Sequence, residues 1–497
     1  MQTLTDFFKS LLYNQHAPLL YNSVLFCVLF SVLYLGYIFV YNDIKKRNLL
    51  LLAFSLFFYY KLSGVYVLLL IAMGTSDYLI GRQMFRVSTQ RKKKMLLLLS
   101  IFINVGALIL FKYTNFLLNT FFGITTGSGS PMVLDLLVPV GISFYVFKTL
   151  SYIFDIYREV IDEPETNYFN YLLYVSFFPN IMAGPISKAR DLLPQFNSQL
   201  KFSSDLIGKA FLLVLIGAFK KVFIADFLGA NLVDRVFDSP EFFTGWEGLM
   251  AIYGYAMQIY FDFSGYTDIV IGLAMLLGFK VNPNFNKPFM ADNVADFWRR
   301  WHITLSGWFN EYVFYPLSYT FRRFKQFGVI LAVLITFFIS GFWHGAAWTY
   351  ILWGTSHGLA IALTFATVNL RSKLAKRNTW GIYKFLSIFI TFHFLAFSMV
   401  LFRAESLQAA GKLYALVFNH FSLSVAGQWA SLYTKPLIIL AAAYILHYMP
   451  LSWNEFFTRR FSALHWSIKA LIVVLGILFI YQGFSSDTQP FIYLEFS

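Results

Sequence analysis

The sequence predicts an all-α integral membrane protein, polytopic, with about 11–13 transmembrane and re-entrant helices. Three observations lead there. Of the 497 residues, 58% are hydrophobic and only 13% charged, against roughly 25% charged in a soluble domain. Apolar runs recur along the whole chain, many of them near the ~20 residues that a bilayer-crossing helix needs. Basic residues gather between these runs, as loop charges do when held on one membrane side. No stretch between the runs is polar and long enough to fold alone. A single membrane domain over 1–497 is therefore expected, with N-terminal helices in 1–138, a catalytic core in 139–370 and C-terminal helices in 371–497.

The runs fall at roughly 18–41, 64–80, 95–118, 139–157, 168–184, 206–228, 246–278, 326–347, 349–369, 382–402, 434–448 and 466–484. The first is longer than the apolar region of a secretory signal and has no small-residue cleavage pattern after it, so it is expected to stay as a helix. It holds Cys27, the only cysteine, which rules out an intramolecular disulfide or CxxC pair and is expected to serve packing. Run 49–60 is too short to span and, with Gly64 after it, reads as half of a hairpin with 64–80. Run 246–278 is too long for one pass, and Asp262, Gly265 and Asp268 predict a break inside it. Segment 280–325 is the least hydrophobic. Its Pro283, Asn284, Asn286 and Pro288 predict turns. After Asp292 the spacing predicts one helix, with Phe297, Trp301, Leu305 and Trp308 along one stripe and Trp298, His302 and Ser306 along the next. A Trp-rich amphipathic helix belongs at the membrane interface.

The formal charge is +14. Nucleic acid is not the implied partner, because the basic residues do not gather on one amphipathic element with spaced aromatics. Lys45-Lys46-Arg47, the block from Arg82 to Lys94, Arg322-Arg323 with Lys325, Arg371 to Arg377 and Arg459-Arg460 read instead as cytoplasmic loop charges. That orientation puts the N-terminus, 119–132 and the 485–497 tail outside. Membrane lipids are the implied surroundings. The chain has no HExxH, Walker A lysine or GxSxG elbow, and neither a metal site nor a bound cofactor is expected.

An ionisable ring at membrane depth is costly and usually functional. His344, in Gly341-Phe342-Trp343-His344-Gly345, is expected to line a cavity where its helix breaks at the glycines, and Ser340 and Trp348 share its face if the helix continues. A neutral imidazole there could act as a general base, or could bridge helices structurally. His302, after Phe297-Trp298-Arg299-Arg300-Trp301, fits headgroup anchoring and catalytic support equally. Arg299 and Arg300 could meet phosphates of a nucleotide-containing donor. Asp262 and Asp268 are expected to pair with arginine or histidine, and Gln258 lies one turn from Asp262. A proton-coupled transporter is the rival class, but no internal repeat supports it.

From Pro139 onward the chain resembles the membrane-bound O-acyltransferase superfamily, specifically its polysaccharide O-acetylation branch. The likeness rests on Pro139 to Phe144 with Asp155 to Arg158, Phe177-Phe178-Pro179 with Ala183 to Ile186, Phe219-Lys220-Lys221 with Ile224-Ala225-Asp226, Gln258 to Asp268, and Gly278-Phe279 with Asn284-Phe285-Asn286. It continues through Phe297 to His302, Leu305-Ser306, Trp308-Phe309, Phe342 to Gly345, Trp348, Trp353-Gly354 and Phe402-Arg403-Ala404. The resemblance implies a ring of helices around a central funnel, in the bacterial cytoplasmic (inner) membrane. It implies acetyl-CoA as donor substrate and an extracytoplasmic SGNH-type acetyltransferase as partner. It makes His344 the base that activates the acceptor hydroxyl and has His302 support or orient the donor. Trp298, Arg299, Arg300, Trp301, Ser340, Trp343, Gln258, Asp262, Asp268 and Asn286 would line the donor path or central channel. The tail Pro490 to Phe496 has Leu494 and Glu495 where relatives often carry an aromatic and a glutamine.

Overall fold

The computed structural model describes residues 9–127, 129, 133–376, 381–483 and 491–492, and every regular element among them is helical. Most of the tail therefore lies outside the described residues. The chain forms two compact units. One comprises Met1–Phe211, Ile269–Asn282 and Tyr493–Ser497, the other Leu212–Asp268 and Pro283–Ile492. The 139–370 stretch contributes to both.

In the first unit, α1 (Val24–Val40) starts at Ser23, whose hydroxyl accepts from the Phe26 amide, filling one of the unmet donors of a helix start. Cys27 is exposed on it rather than packed inside, as befits an apolar side chain on a lipid-facing surface. The 49–60 run is not a short half-hairpin. It is the middle of α2 (Ile44–Ser63), which begins at Asp43 and passes through one turn at Gly64 (φ 57°) into α3 (Val67–Arg86). Hydropathy missed the first turns because they carry Lys45, Lys46, Arg47 and Asn48. Arg47, expected as a loop charge, is fully buried and donates to the Ser198 and Phe196 carbonyls at 3.0 and 2.7 Å and to Asn48 Oδ1 at 2.9 Å. Helices α3, α4 (Gln90–Leu108) and α5 (Ile142–Tyr157) share a buried polar network. Asp77 accepts from Ser100 and Asn104 at 2.5 and 2.7 Å, and Thr149 donates to Asn104. Such contacts tie helices together where apolar burial supplies no net drive.

The second unit is built along the Gly245–Asp268 part of α6 (Gly245–Leu276), a helix of 32 residues without interruption. The expected break is absent because each residue that suggested it faces a neighbour. Asp262 and Asp268 are ion-paired to Lys221 and Lys220 at 2.5 and 2.6 Å. A Cβ on Gly265 would stand 2.6 Å from the Gly217 carbonyl oxygen, so the glycine permits close helix approach. The break falls instead where one helix was expected. α7 (Val294–Trp298) and α8 (Ile303–Phe309) are separated by His302, which sits in the left-handed region at φ 42°. The turn-rich segment before them explains this. The Asn286 amide donates to the Arg300 carbonyl, and the Ile303 amide to that of Asn284. These bonds take 300–303 out of helical register, so the two predicted stripes do not form.

α9 (Lys325–His344) ends at His344. Gly345 and Ala347 are extended, and α10 (Trp348–Ala366) then packs back on α9. The two cross where neither has a side chain. A Cβ on Gly341 would lie 2.5 Å from the Tyr350 carbonyl oxygen, and one on Gly354 2.6 Å from Gly341 Cα. Trp348 opens a new helix and is half exposed, so it does not share a face with His344. α11 (Ile382–Arg403) and α12 (Thr434–Tyr448) complete the surroundings of the site.

Five stretches among the described residues are long and apolar enough to cross a membrane: Ile44–Arg86, Gln90–Thr126, Gly245–Leu276, Arg322–His344 and Ile382–Arg403. Three further helix pairs, bent by 62°, 90° and 120°, bring the number to eight if each is one span. Large apolar side chains such as Leu68, Phe102, Leu363 and Ile390 are exposed on these helices. So extensive an apolar exterior belongs in lipid.

Candidate active site

Four buried histidines of the second unit, His302, His344, His357 and His447, sit in one continuous aromatic cluster. His344 is enclosed by Trp343, Trp353 and Phe402, with ring centroids at 4.9, 4.9 and 5.3 Å. Trp353 in turn touches Trp298 at 5.7 Å and His357 at 4.8 Å. Phe297 stacks on Trp301 at 5.5 Å, and Phe263 meets both Trp301 and His302, the latter at 4.8 Å. His447 packs against Tyr260 and Phe289.

Hydrogen bonds fix the His302 ring chemically. Asn284 Oδ1 accepts from the Thr304 amide (3.1 Å) and hydroxyl (2.9 Å), so it is an oxygen and cannot donate. His302 Nδ1, 3.2 Å from it, must therefore carry the proton, which puts the lone pair on Nε2. Burial drives the His302 imidazole toward neutrality, its pKa pushed down to about 3. Asn286 is exposed and contributes its backbone, whereas Asn284, two residues earlier, orients His302.

Beside this cluster lies a cavity of about 410 Å³ whose lining includes Trp298, Arg299, Ser306, Asn310, Thr336, Phe337 and Ser340. That volume falls in the ~300–1,000 Å³ range of small-molecule sites. Of the residues expected on the donor path, Trp298, Arg299 and Ser340 are here. His344 is not on this cavity's wall. It follows Ser340 by one helical turn and connects to the wall through the Trp353–Trp298 contact. His302 is likewise packed inside, between Asn284 and Phe263. Arg299 is exposed and makes no ion pair among the described residues, whereas Arg300 is held by Asp296 at 2.8 Å.

Gln258, Asp262 and Asp268 form a separate group along α6. Lys221, itself buried, bridges Asp262 and Asp226 at 2.5 and 2.8 Å. Asp262 also accepts from the Ile492 amide at 2.9 Å, and the Phe491 ring lies 4.9 Å from the Lys221 ammonium. The partners are lysines rather than arginine or histidine. The adjacent Lys220 and Lys221 inside an apolar run were the available signal. Gln258 fills the space above Gly229, where a Cβ would stand 2.5 Å from its amide nitrogen.

The pattern of the membrane-bound O-acyltransferase family matches residues 161–402. The peptidoglycan O-acetyltransferase of Helicobacter pylori is 32% identical over 96% of this chain and 98% of its own length. The probable alginate O-acetylase AlgI of Pseudomonas aeruginosa is 36% identical over 81% of this chain and 75% of its own. The chain belongs to the membrane-bound O-acyltransferase family. A more partial likeness, 30% identity over 54% of the chain, links it to the teichoic acid D-alanyltransferase of Bacillus subtilis. Within this acyltransferase the matched stretch holds the cavity, His302, His344 and His357, and leaves His447 outside. Its multi-pass membrane architecture agrees with the composition. His357 and Asn284 are the site residues that sequence reasoning missed. His357 had no motif around it, only an apolar helix.

Proposed function

We propose that this acyltransferase takes an acetyl group from cytoplasmic acetyl-CoA and passes it across the bacterial inner membrane to a hydroxyl outside. The destination is O-acetylation of a secreted or cell-wall polysaccharide, through an extracytoplasmic SGNH-type partner. The observation that carries the reading is the cavity with Arg299 exposed on it and uncommitted. A guanidinium fork suits phosphate oxygens, and a mostly apolar interior suits a thioester arm. His344, one helical turn from Ser340 on the cavity wall, would take the proton of the acceptor hydroxyl once that hydroxyl has reached it past the Trp343, Trp353 and Phe402 rings, as its oxygen attacks the thioester carbonyl. The C–S bond then breaks, and the departing thiolate receives that proton. His302, with its lone pair on Nε2, would support the donor side. The peptidoglycan and alginate relatives support acetyl as the group transferred.

The D-alanyltransferase likeness favours a second reading, in which an alanyl group arrives on a carrier protein. Purified protein in liposomes separates the two. Label from acetyl-CoA reaching the added partner supports the first reading. Label only from an alanyl carrier supports the second, and solute flux without acyl transfer would remove both in favour of a transporter.

A further inference from the structure

His357 lies in the middle of α10, fully buried, with both ring nitrogens engaged by other helices. The Trp298 indole N–H, which can only donate, points at His357 Nδ1 at 3.2 Å. Nδ1 is therefore the acceptor and Nε2 carries the proton. Nε2 lies 3.0 Å from Ser398 Oγ on α11, and that hydroxyl donates its hydrogen bond to the Leu395 carbonyl at 2.8 Å. Donor and acceptor are thus assigned along the whole line from Trp298 through His357 and Ser398 to the backbone of α11. The end of the line is functional surface, since Trp298 forms part of the cavity wall. Trp298 is also the last residue of the five-residue helix α7, directly before the break at 299–302. So short a helix holds no side chain firmly by itself.

We infer that His357 is a positioning residue: as acceptor for the Trp298 indole it fixes that ring in the wall of the donor cavity, and it takes no part in proton transfer. The inference rests on the cavity being the acyl-donor site. It follows that His357 acts on donor binding through Trp298 alone. Substitutions can separate its two ends. His357→Asn places an amide oxygen near the position of Nδ1 and keeps an acceptor for the indole. His357→Gln reaches toward Ser398 and gives up the indole. His357→Phe fills the space and keeps neither bond.

The test is the KM for acetyl-CoA and the kcat of these variants, alone and combined with Trp298→Phe, alongside their melting temperatures in detergent. A buried hydrogen bond is worth about 1 kcal/mol, so His357→Gln and His357→Phe should raise KM roughly five- to tenfold with kcat little changed. His357→Asn should stay near wild type. In the Trp298→Phe background, His357→Phe should add nothing further. Independent effects of the two substitutions on KM would overturn the inference, as would a fall in kcat with KM unchanged. Coupling seen in melting temperature but not in KM would make the bond purely structural and also overturn it. If some variants do not fold, Ser398→Ala, which loosens the same ring from its far side, should raise KM in the same direction by a smaller factor, and an unchanged KM there counts against the inference. A wild-type protein that does not turn over acetyl-CoA refutes the donor reading instead, and the melting-temperature cycle still reports whether the Trp298–His357 bond exists.

Discussion

At the residue scale, the chemistry depends on which nitrogen holds a proton and which cation is uncommitted. Arg299 and Arg300 are adjacent and look equivalent in sequence, yet the structure spends Arg300 on Asp296 and leaves Arg299 at the cavity. Arg299→Ala should therefore raise the KM for acetyl-CoA by about ten- to a hundredfold, the loss expected for a charged hydrogen bond. Arg300→Ala should move it far less. Equal effects from steady-state kinetics would dismiss Arg299 as the phosphate contact. His302 gives a pH prediction. Its folded pKa, about 3, lies below the ~6.5 of an unfolded chain. The neutral ring thus contributes stability that is fully present above pH ~6.5 and is lost as pH falls toward 3. His302→Gln should flatten the acid-side fall of the melting temperature between about pH 6.5 and 4, and an unchanged slope would show that His302 titrates normally.

At the element scale, hydropathy found the apolar runs but misplaced the breaks. Asp262, Gly265 and Asp268 look like interruptions only when their neighbours are unseen. Lys220, Lys221 and Gly217 convert them into contacts that let α6 run unbroken. The reverse error occurred at 294–309, where a good helical stripe yields to the backbone bonds from 284 and 286. No periodicity could reveal those, because they join residues 14 or more positions apart in a segment without a regular pattern. The glycines around His344 were legible as special. Their reason is the crossing of α9 and α10, which exists only in the folded chain. Gly354→Val should force that crossing apart and destabilise the protein by about 1–3 kcal/mol, with activity falling alongside. Lys221→Met should cost more, about 3–5 kcal/mol, since it strands the buried Asp262 carboxylate. Denaturation in detergent measures both. If Lys221→Met proved as stable as wild type, the ion-pair group along α6 would lose its structural role.

At the scale of the whole molecule, class and architecture were readable from composition and from ordered motifs. The peptidoglycan and alginate O-acetylation proteins compared with it are 32% and 36% identical over most of the chain. The participants in the chemistry were only partly readable. His344 and His302 stand out because each follows a tryptophan in a dense aromatic motif, whereas His357 and Asn284 become meaningful only through their partners. The central claim concerns His344, and it is tested most directly in cells that carry this chain as their sole acyltransferase of its kind. Base-labile acetate on the extracted envelope polysaccharide is measured for wild type and His344→Ala at equal membrane protein level. The account predicts acetate near background for the variant, and a polymer still fully acetylated would contradict it.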